Sequence, residues 1–142
     1  MIRAGFRPAR HAGFTLIELI VVMVIIAILS AIAIPGYRQY AVRSSRQAAQ
    51  SQLVELGSIQ EKIFLNTNAY ASSASKAYDG TAAGGLGVTA GKTLDGFYTI
   101  SVTSETASHT ITAAPVAGTR QAADGTLTIN STGQRTWGTR TW

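Results

Sequence analysis

The chain has 142 residues, of which 46% are hydrophobic and 13% are charged, which permits one domain and excludes a multi-domain enzyme. Its net charge of +5 comes largely from the first 13 residues, where Arg3, Arg7 and Arg10 have no acidic neighbour, whereas the rest of the chain carries nine basic and seven acidic side chains. This distribution argues against a broadly basic nucleic-acid-binding protein, and the absence of cysteine excludes both a disulfide framework and a thiolate metal site.

A long apolar segment occupies residues 14–34, where only Thr15, Glu18 and Ser30 are polar. As a helix it would be roughly 32 Å long, which matches a hydrocarbon core of about 30 Å. Since no clean polar stripe is present, the pattern predicts a membrane-spanning helix rather than one that lies on the membrane surface.

Basic residues flank the apolar segment equally, with three on either side, and therefore do not orient it. The leader is short and the region after the segment is long. Because long segments translocate largely regardless of charge, this asymmetry favours a cytoplasmic N-terminus.

Two simpler interpretations of the apolar segment are a plain membrane anchor and a cleaved secretory signal with a processing site at Ala31-Ile32-Ala33. Neither explains Glu18. A carboxylate inside an apolar span costs about 2.5–3.5 kcal/mol on insertion scales, and such residues usually have a partner or a function. Glu18 therefore indicates a dedicated role for this segment.

The residues Arg10-His11-Ala12-Gly13-Phe14-Thr15-Leu16-Ile17-Glu18-Leu19, followed by a Val/Ile run and Pro35, resemble the N-terminus of type IV pilins and their pseudopilin relatives. The resemblance is close over residues 3–66, and the later strand pattern is more loosely similar to PilE-type minor pilins. It implies that a prepilin peptidase cuts after Gly13 and methylates the new amine of Phe14, and that Glu18 is the family's glutamate. It also implies other pilin subunits, an inner-membrane assembly platform and an assembly ATPase as partners.

The chemistry of such a cut is coherent with these residues. Removing residues 1–13 takes away the leader arginines and creates a cationic amine at Phe14, four residues before Glu18. If such helices stack with an axial stagger, the amine of one subunit meets the carboxylate of its neighbour. Because an unpaired buried charge costs several kcal/mol, we predict that this pair specifies the assembly register.

The helical pattern continues beyond Pro35 and Gly36, although proline costs about 3 kcal/mol inside a helix and glycine about 1 kcal/mol. We predict a kink at these two residues, followed by an amphipathic continuation over residues 36–66 that docks on a sheet. Two separate helices joined at Pro35 are the alternative. The apolar stripe of the continuation consists of Val42, Ala49, Leu53, Leu56 and Ile63.

Residues 67–96 are rich in Ala, Ser, Gly and Thr, and their lack of periodicity predicts a long connecting loop. After Gly96, threonine alternates with apolar residues over 97–102, 110–114 and 126–129, and residues 134–137 complete about four short strands. The expected fold is therefore α+β, with a long N-terminal helix packed on a C-terminal antiparallel sheet formed by residues 97–142, and the resemblance implies that this is the pilin fold.

One departure from the resemblance concerns the C-terminal segment, which PilE-type relatives usually tie with a cysteine pair. Here Asp124 or Gly125 and Thr141 stand at those positions. The end of the chain must then be held by packing, for which Trp137 and Trp142 are the candidates.

The sequence does not indicate catalytic chemistry. His11 belongs to the leader, and His109, in a polar turn before a strand, is expected to be solvated. Residues 85–93 differ from a phosphate-binding loop, because Leu86 stands where the motif requires its first glycine. We expect no enzyme, no cofactor and no metal site, and we assign no role to the glycosylation sequon Asn130-Ser131-Thr132.

These observations predict a structural subunit of a type IV pilus, with a minor pilin as the favoured class. It would reside in the bacterial inner membrane with its head in the periplasm, and then in an extracellular fibre. A pseudopilin of a type II secretion system is one alternative, and roles in adhesion, twitching motility or secretion stay open. A DNA-binding uptake pilin is another, which rests on the basic residues Lys76, Lys92, Arg120, Arg135 and Arg140.

Overall fold

The computed structural model describes residues 13–142, so the predictions on the leader arginines and on His11 lie outside the described residues. Helix α1 extends over Leu16–Thr67, 52 residues, and contains Pro35. The prediction of one long N-terminal helix is confirmed, and the alternative of two helices joined at Pro35 is wrong. The kink at Pro35 and Gly36 stays a prediction.

The chain divides into two compact units between Tyr37 and Arg38. The described part of the first unit is the apolar portion of α1. The second unit, Arg38–Trp142, contains the remainder of α1 and all the strands, and we call it the head.

The head contains a five-stranded antiparallel sheet in which each strand pairs with its neighbours in sequence. The α+β class is confirmed, and the sheet has five strands where about four were expected. The extra strand forms because the chain turns back after Trp137 and pairs Arg140 with it. The strands are β1 (Tyr98–Ser104), β2 (His109–Pro115), β3 (Leu127–Asn130), β4 (Arg135–Trp137) and β5 (Arg140–Thr141).

One face of the sheet and one face of α1 enclose the core. Alternate residues of β1, β2 and β3 are buried, as the period of two requires. On α1 the predicted stripe is buried at Ala49, Leu53, Leu56 and Ile63, whereas Val42 is only half-buried. The most deeply buried large side chains are Tyr98, Leu53, Ile63, Ile111, Leu127, Gln60 and Gln121.

Gln60 is a buried polar residue on the apolar stripe that the sequence pattern did not reveal. Its side-chain Nε2 donates to the carbonyl of Ala71 at 2.8 Å, and its Oε1 accepts from the Ala71 backbone N–H at 2.9 Å. Both polar groups of the amide are thereby satisfied, which removes most of the cost of its burial. Gln60 thus binds the start of the connecting loop to α1.

A connecting loop joins α1 to β1 and includes a short 3-10 helix at Thr89–Gly91, and its bounds of 67–96 stay a prediction. Its middle is closed by backbone hydrogen bonds of 2.8–3.0 Å, in which residues 85–88 donate to carbonyls of residues 73–77. A Cβ at Gly85 would lie 2.5 Å from the Lys76 carbonyl oxygen, so only glycine permits this approach. The loop is folded onto the core, where Tyr70, Leu86 and Val88 are buried.

Candidate functional site

The start of α1 is shaped by Thr15, which acts as its N-cap. The Thr15 hydroxyl oxygen accepts a hydrogen bond of 3.3 Å from the backbone N–H of Glu18, and the Thr15 carbonyl accepts the first helical bond from Leu19 at 3.2 Å. Threonine followed three residues later by glutamate is the capping-box pattern. Glu18 also lies in the first turn, where its negative charge interacts favourably with the positive end of the helix dipole.

The apolar part of α1 is exposed along its whole length. Within the described residues, one helix is long and apolar enough to cross a membrane, and none of its most apolar window is buried. The exposed fraction of its large apolar side chains ranges from 46% at Val22 to 77% at Leu16. Exposure of this apolar surface to water is unfavourable, because its burial would contribute roughly 25 cal/mol per Å². The segment therefore requires lipid or other protein around it.

In the head, the main charged cluster joins α1 to the entrance of β3. The Asp124 carboxylate accepts hydrogen bonds from Arg46 Nε at 3.0 and 2.8 Å, a further bond from the same guanidinium, and one from the Tyr98 hydroxyl. The exposed fraction is only 2% for the Asp124 side chain and 18% for that of Arg46. The resemblance places a cysteine at Asp124 or Gly125, and at the first of these two positions the structure has an ion pair.

Trp137 and Gln121 complete this cluster, which we call the Asp124 clamp: Arg46, Tyr98, Gln121, Asp124 and Trp137. The Trp137 indole N–H donates to the Asp124 backbone carbonyl, and the Arg46 guanidinium lies 3.6 Å from the centre of the indole ring. Gln121 Nε2 donates to the Tyr98 hydroxyl at 2.7 Å and to the Val42 carbonyl at 3.1 Å. The clamp connects α1, β1, β4 and the segment before β3.

The protonation states of Asp124 and Tyr98 follow from these contacts. Burial alone would raise the pKa of Asp124, but the hydrogen bonds from Arg46 and Tyr98 outweigh it and leave this pKa below its usual value. Burial, and then the hydrogen bond to Asp124, raise the pKa of the Tyr98 hydroxyl strongly. Asp124 is therefore ionised and Tyr98 neutral at physiological pH.

Trp137 and Trp142 hold the C-terminal end, as predicted, but Trp137 does so through a polar contact as well as through packing. The Trp142 indole N–H donates to the Thr136 carbonyl at 2.9 Å. The guanidinium carbon of Arg135 lies 5.3 Å from the Trp142 ring centre, and that of Arg140 lies 5.6 Å from the Trp137 ring centre. Each arginine of β4 and β5 thus has a tryptophan ring beside it.

The structure does not gather the five basic residues of the DNA-binding hypothesis into one patch. Arg120 is held on the head by a 3.0 Å bond to the Ser45 hydroxyl and by stacking 4.0 Å above Phe97. Lys76 and Lys92 belong to the connecting loop, whereas Arg135 and Arg140 belong to β4 and β5. Arg135 and Arg140 each lie beside a tryptophan ring.

The expectation that His109 is solvated is wrong. Its residue exposure is 3%, because it is the first residue of β2 and faces inward with the alternating apolar residues of that strand. Its ring packs 4.6 Å from that of Tyr70, and neither ring nitrogen has a hydrogen-bond partner among the described residues. The nearest charge is Glu61, at 3.9 Å from Nδ1.

The burial of His109 predicts a pH-dependent stability. Burial lowers the pKa of His109, although the charge of Glu61 acts in the opposite direction. Below pH of about 6.5 the unfolded chain binds a proton that the folded head does not, so stability falls as the pH drops. We expect the melting temperature of the full-length chain in detergent to decrease between pH 7.5 and 5.5, and more steeply in Glu61→Gln. A flat profile, with no difference between the two proteins, would contradict this.

Comparison with known proteins agrees with this architecture. Residues 35–128 match the family described as "Type IV minor pilin ComP, DNA uptake sequence receptor", and residues 8–34 match the "Prokaryotic N-terminal methylation motif". The second match contains Gly13, Phe14 and Glu18, whose individual roles stay predictions.

Three curated relatives match part of the chain. The type IV major pilin protein PilA of Myxococcus xanthus is 41% identical over 71 residues, which is 50% of this chain and 32% of that protein. A fimbrial protein of Pseudomonas aeruginosa is 45% identical over 62 residues, 44% of this chain and 40% of that protein. The type II secretion system core protein G of Pectobacterium carotovorum subsp. carotovorum is 36% identical over 63 residues, 44% of this chain and 40% of that protein.

The chain thus spans only about a third to two fifths of the length of these relatives. The match over residues 35–128, in contrast, covers about two thirds of this chain. It includes most of the head, and the methylation motif covers the exposed apolar segment that precedes it. The chain therefore belongs to this family of type IV minor pilins.

Proposed function

We propose that the chain is made as a prepilin, is cut between Gly13 and Phe14 and methylated at Phe14 by a prepilin peptidase, and polymerises through residues 14–35 into a type IV pilus. The observation that carries this proposal is the contrast between the two units. The head has a closed core, whereas the apolar part of α1 leaves its large side chains exposed. A helix of this kind suits both lipid before assembly and identical helices within a fibre.

Before assembly, we place residues 14–35 in the bacterial inner membrane as a single pass, with the head in the periplasm. Transfer from lipid to the fibre needs the work of an assembly ATPase and a platform protein, because apolar burial is similar in both environments. In the fibre, Glu18 of one subunit would neutralise the methylated amine of Phe14 on the next. The proposed segments are thus a leader (1–13), a polymerisation helix (14–35), its continuation (36–66), the loop (67–96) and the sheet (97–142).

Intact-mass measurement of the protein from its native host tests the processing step. We expect a chain that starts at Phe14 and carries one additional methyl group. A start at Ile34 would instead indicate an ordinary secretory signal, and an uncut Met1 would indicate a plain anchor. Either of these two results would contradict the proposal.

A pseudopilin function is supported by the similarity to core protein G, which belongs to a type II secretion system. Mechanical shearing of cells separates this function from that of a pilus. A pilus subunit is expected in the sheared surface fibres, whereas a pseudopilin would stay in the cell-associated fraction.

DNA binding is a second candidate function, supported by the family description and by the arginines beside tryptophans on β4 and β5. Basic side chains that neutralise phosphates make the affinity for DNA strongly salt-dependent. We expect the full-length chain in detergent to bind a fluorescent duplex more weakly as salt rises from about 50 to 200 mM.

The matched variants for this test are Arg135→Gln and Arg43→Gln. If Arg135 contacts a phosphate, its loss should reduce the slope of log affinity against log salt by about 1. Arg43 lies on α1 and is exposed, so its replacement should change the slope less. Binding without salt dependence, or equal effects of the two variants, would reject Arg135 as a phosphate contact.

A further inference from the structure

The part of α1 that opens the head carries two basic residues that the head itself does not pair. Arg38 and Arg43 are both exposed, and no carboxylate of the head lies within 4 Å of either guanidinium. Arg46, by contrast, is paired with Asp124. The sequence has no acidic residue from 36 to 54, so α1 itself supplies no counter-charge there.

The Arg43 side chain is folded back along the helix, toward Arg38. Its Nε donates to the Gln39 carbonyl at 3.4 Å, one turn earlier. Arg43 lies five residues, about 7.5 Å, beyond Arg38, and one turn is about 5.4 Å long. The guanidinium of Arg43 therefore reaches nearly the level of Arg38. This bond uses one of its five N–H donors, so the group can still bind an anion.

The two arginines point to different sides of α1, because five residues turn a helix by about 140°. Tyr40 lies between them in the sequence and is also exposed. Tyrosine is enriched where the hydrocarbon of a membrane meets water, since its ring is apolar and its hydroxyl is polar. Arginine and tyrosine together are typical of a helix that passes through a layer of lipid headgroups.

The position of Arg38 in the sequence agrees with that depth. It is the third residue after residue 35, where the polymerisation helix ends. The headgroup layer on each side of a bilayer is about 5–7 Å deep, which corresponds to roughly three to five helical residues. Phosphate groups are the abundant anions in this layer, and the planar guanidinium matches them with two parallel hydrogen bonds.

The topology proposed above makes these arginines unusual. With the head in the periplasm, Arg38 and Arg43 lie outside the inner membrane, whereas basic residues close to a span are normally enriched on the cytoplasmic side. Two arginines on the outer side, without a carboxylate of the head beside them, need a counter-charge from their surroundings. Anionic phospholipids provide it at the right depth.

We propose that Arg38 and Arg43 bind the phosphate groups of anionic phospholipids in the periplasmic leaflet of the inner membrane. This proposal rests on the membrane placement proposed above, and it concerns a single copy of the chain before assembly. The two guanidinium groups bind separate lipids, because they point to different sides of the helix at nearly the same level.

Electron spin resonance of spin-labelled lipids tests this binding. The full-length chain is reconstituted in mixed vesicles of phosphatidylcholine and phosphatidylglycerol. The fraction of each labelled lipid that is immobilised by the protein gives its preference for the anionic lipid. We expect a clear preference for phosphatidylglycerol, which Arg38→Gln and Arg43→Gln should each lower by up to about fivefold. The double variant should lower it further than either single variant.

Lys62→Gln is the matched control, since Lys62 is exposed on the same helix and lies 19 residues, roughly 29 Å, beyond Arg43. It removes the same charge but should keep the wild-type preference. All three positions are exposed, so the substitutions should change the melting temperature of the head little. The leader is identical in every variant and contributes equally.

An unchanged preference in the double variant would overturn lipid binding by Arg38 and Arg43, and would leave an acidic protein surface as their partner. An equal loss in Lys62→Gln would also overturn it, because net charge alone would then attract the lipid. Flotation of the vesicles tests the membrane placement separately. If the wild-type chain does not float with them, that placement is wrong and the lipid proposal falls with it.

Discussion

Replacing Glu18 with alanine is expected to leave cleavage and membrane insertion intact while incorporation into fibres falls at least tenfold. Without the carboxylate, the amine of Phe14 on the neighbouring subunit is left unpaired in an apolar surrounding. An unpaired buried charge costs several kcal/mol, and about 1.4 kcal/mol already corresponds to a factor of ten. The measurement is the ratio of fibre-bound to membrane-bound protein after shearing.

The capping of α1 provides a sharper version of this experiment. Glu18 follows Thr15 in the capping-box pattern, so alanine removes both a charge and a capping residue. Glutamine removes the charge but keeps the capping pattern. If Glu18 sets the register by charge, Glu18→Gln should fail as Glu18→Ala does, and Thr15→Ala should assemble better than either.

Normal incorporation of Glu18→Gln would assign Glu18 to the helix start rather than to subunit pairing. If the Glu18→Ala protein still carries residues 1–13, the defect lies in cleavage of the leader rather than in assembly. Intact mass and the fibre-to-membrane ratio therefore have to be measured on the same samples.

Replacing Arg46 with methionine is expected to destabilise the head by about 3 kcal/mol, because breaking a buried ion pair leaves the partner charge uncompensated. The Asp124 side chain is only 2% exposed in the native head, and without Arg46 the Tyr98 hydroxyl would be its main donor. For a domain of this size we expect the melting temperature to fall by roughly 10–20 °C. Thermal unfolding of the full-length chain in detergent, followed by circular dichroism, measures this change.

Arg43→Met is the matched control, since Arg43 lies on the same helix, is exposed and makes one 3.4 Å bond to the Gln39 carbonyl. Its effect should stay within about 0.5 kcal/mol. Equal effects of the two substitutions would show that the clamp contributes nothing specific.

The clamp, like His109, should lose stability as the pH falls, but the reason differs. Folding favours the charged form of Asp124, whereas it disfavours the charged form of His109. The pKa of Asp124 is lowered on folding, so its contribution is complete above the ordinary value near 4 and is lost as the pH falls through the folded value. Asp124→Asn should remove this loss at acidic pH, whereas it should leave the change between pH 7.5 and 5.5 unaltered.

Much of the fold was predictable because its elements follow regular periods. Ala49, Leu53, Leu56 and Ile63 recur at helical spacing, and they are buried. The fifth strand was not predictable in this way, because Arg140 and Thr141 are too few to display a period of two. A two-residue strand is formed by its pairing with β4 rather than by its own pattern.

The buried polar residues were the part of the fold that the sequence pattern did not predict. Gln60 and His109 lie on buried faces where apolar residues are expected, and only their positions in the register mark them. Arg46 gave a usable signal, since it lies seven residues before Leu53 and therefore on the buried side of the helix. Its partner Asp124 is 78 residues away, and no local pattern joins them.

The clamp determines under which chemical conditions the head stays folded. A head tied by a cysteine pair depends on an oxidant when it is made and is opened by thiols afterwards. The Arg46–Asp124 pair forms when α1 and the sheet pack together, and it is indifferent to thiols. Acid, which protonates the carboxylate, rather than reductant, is the agent that should loosen this head.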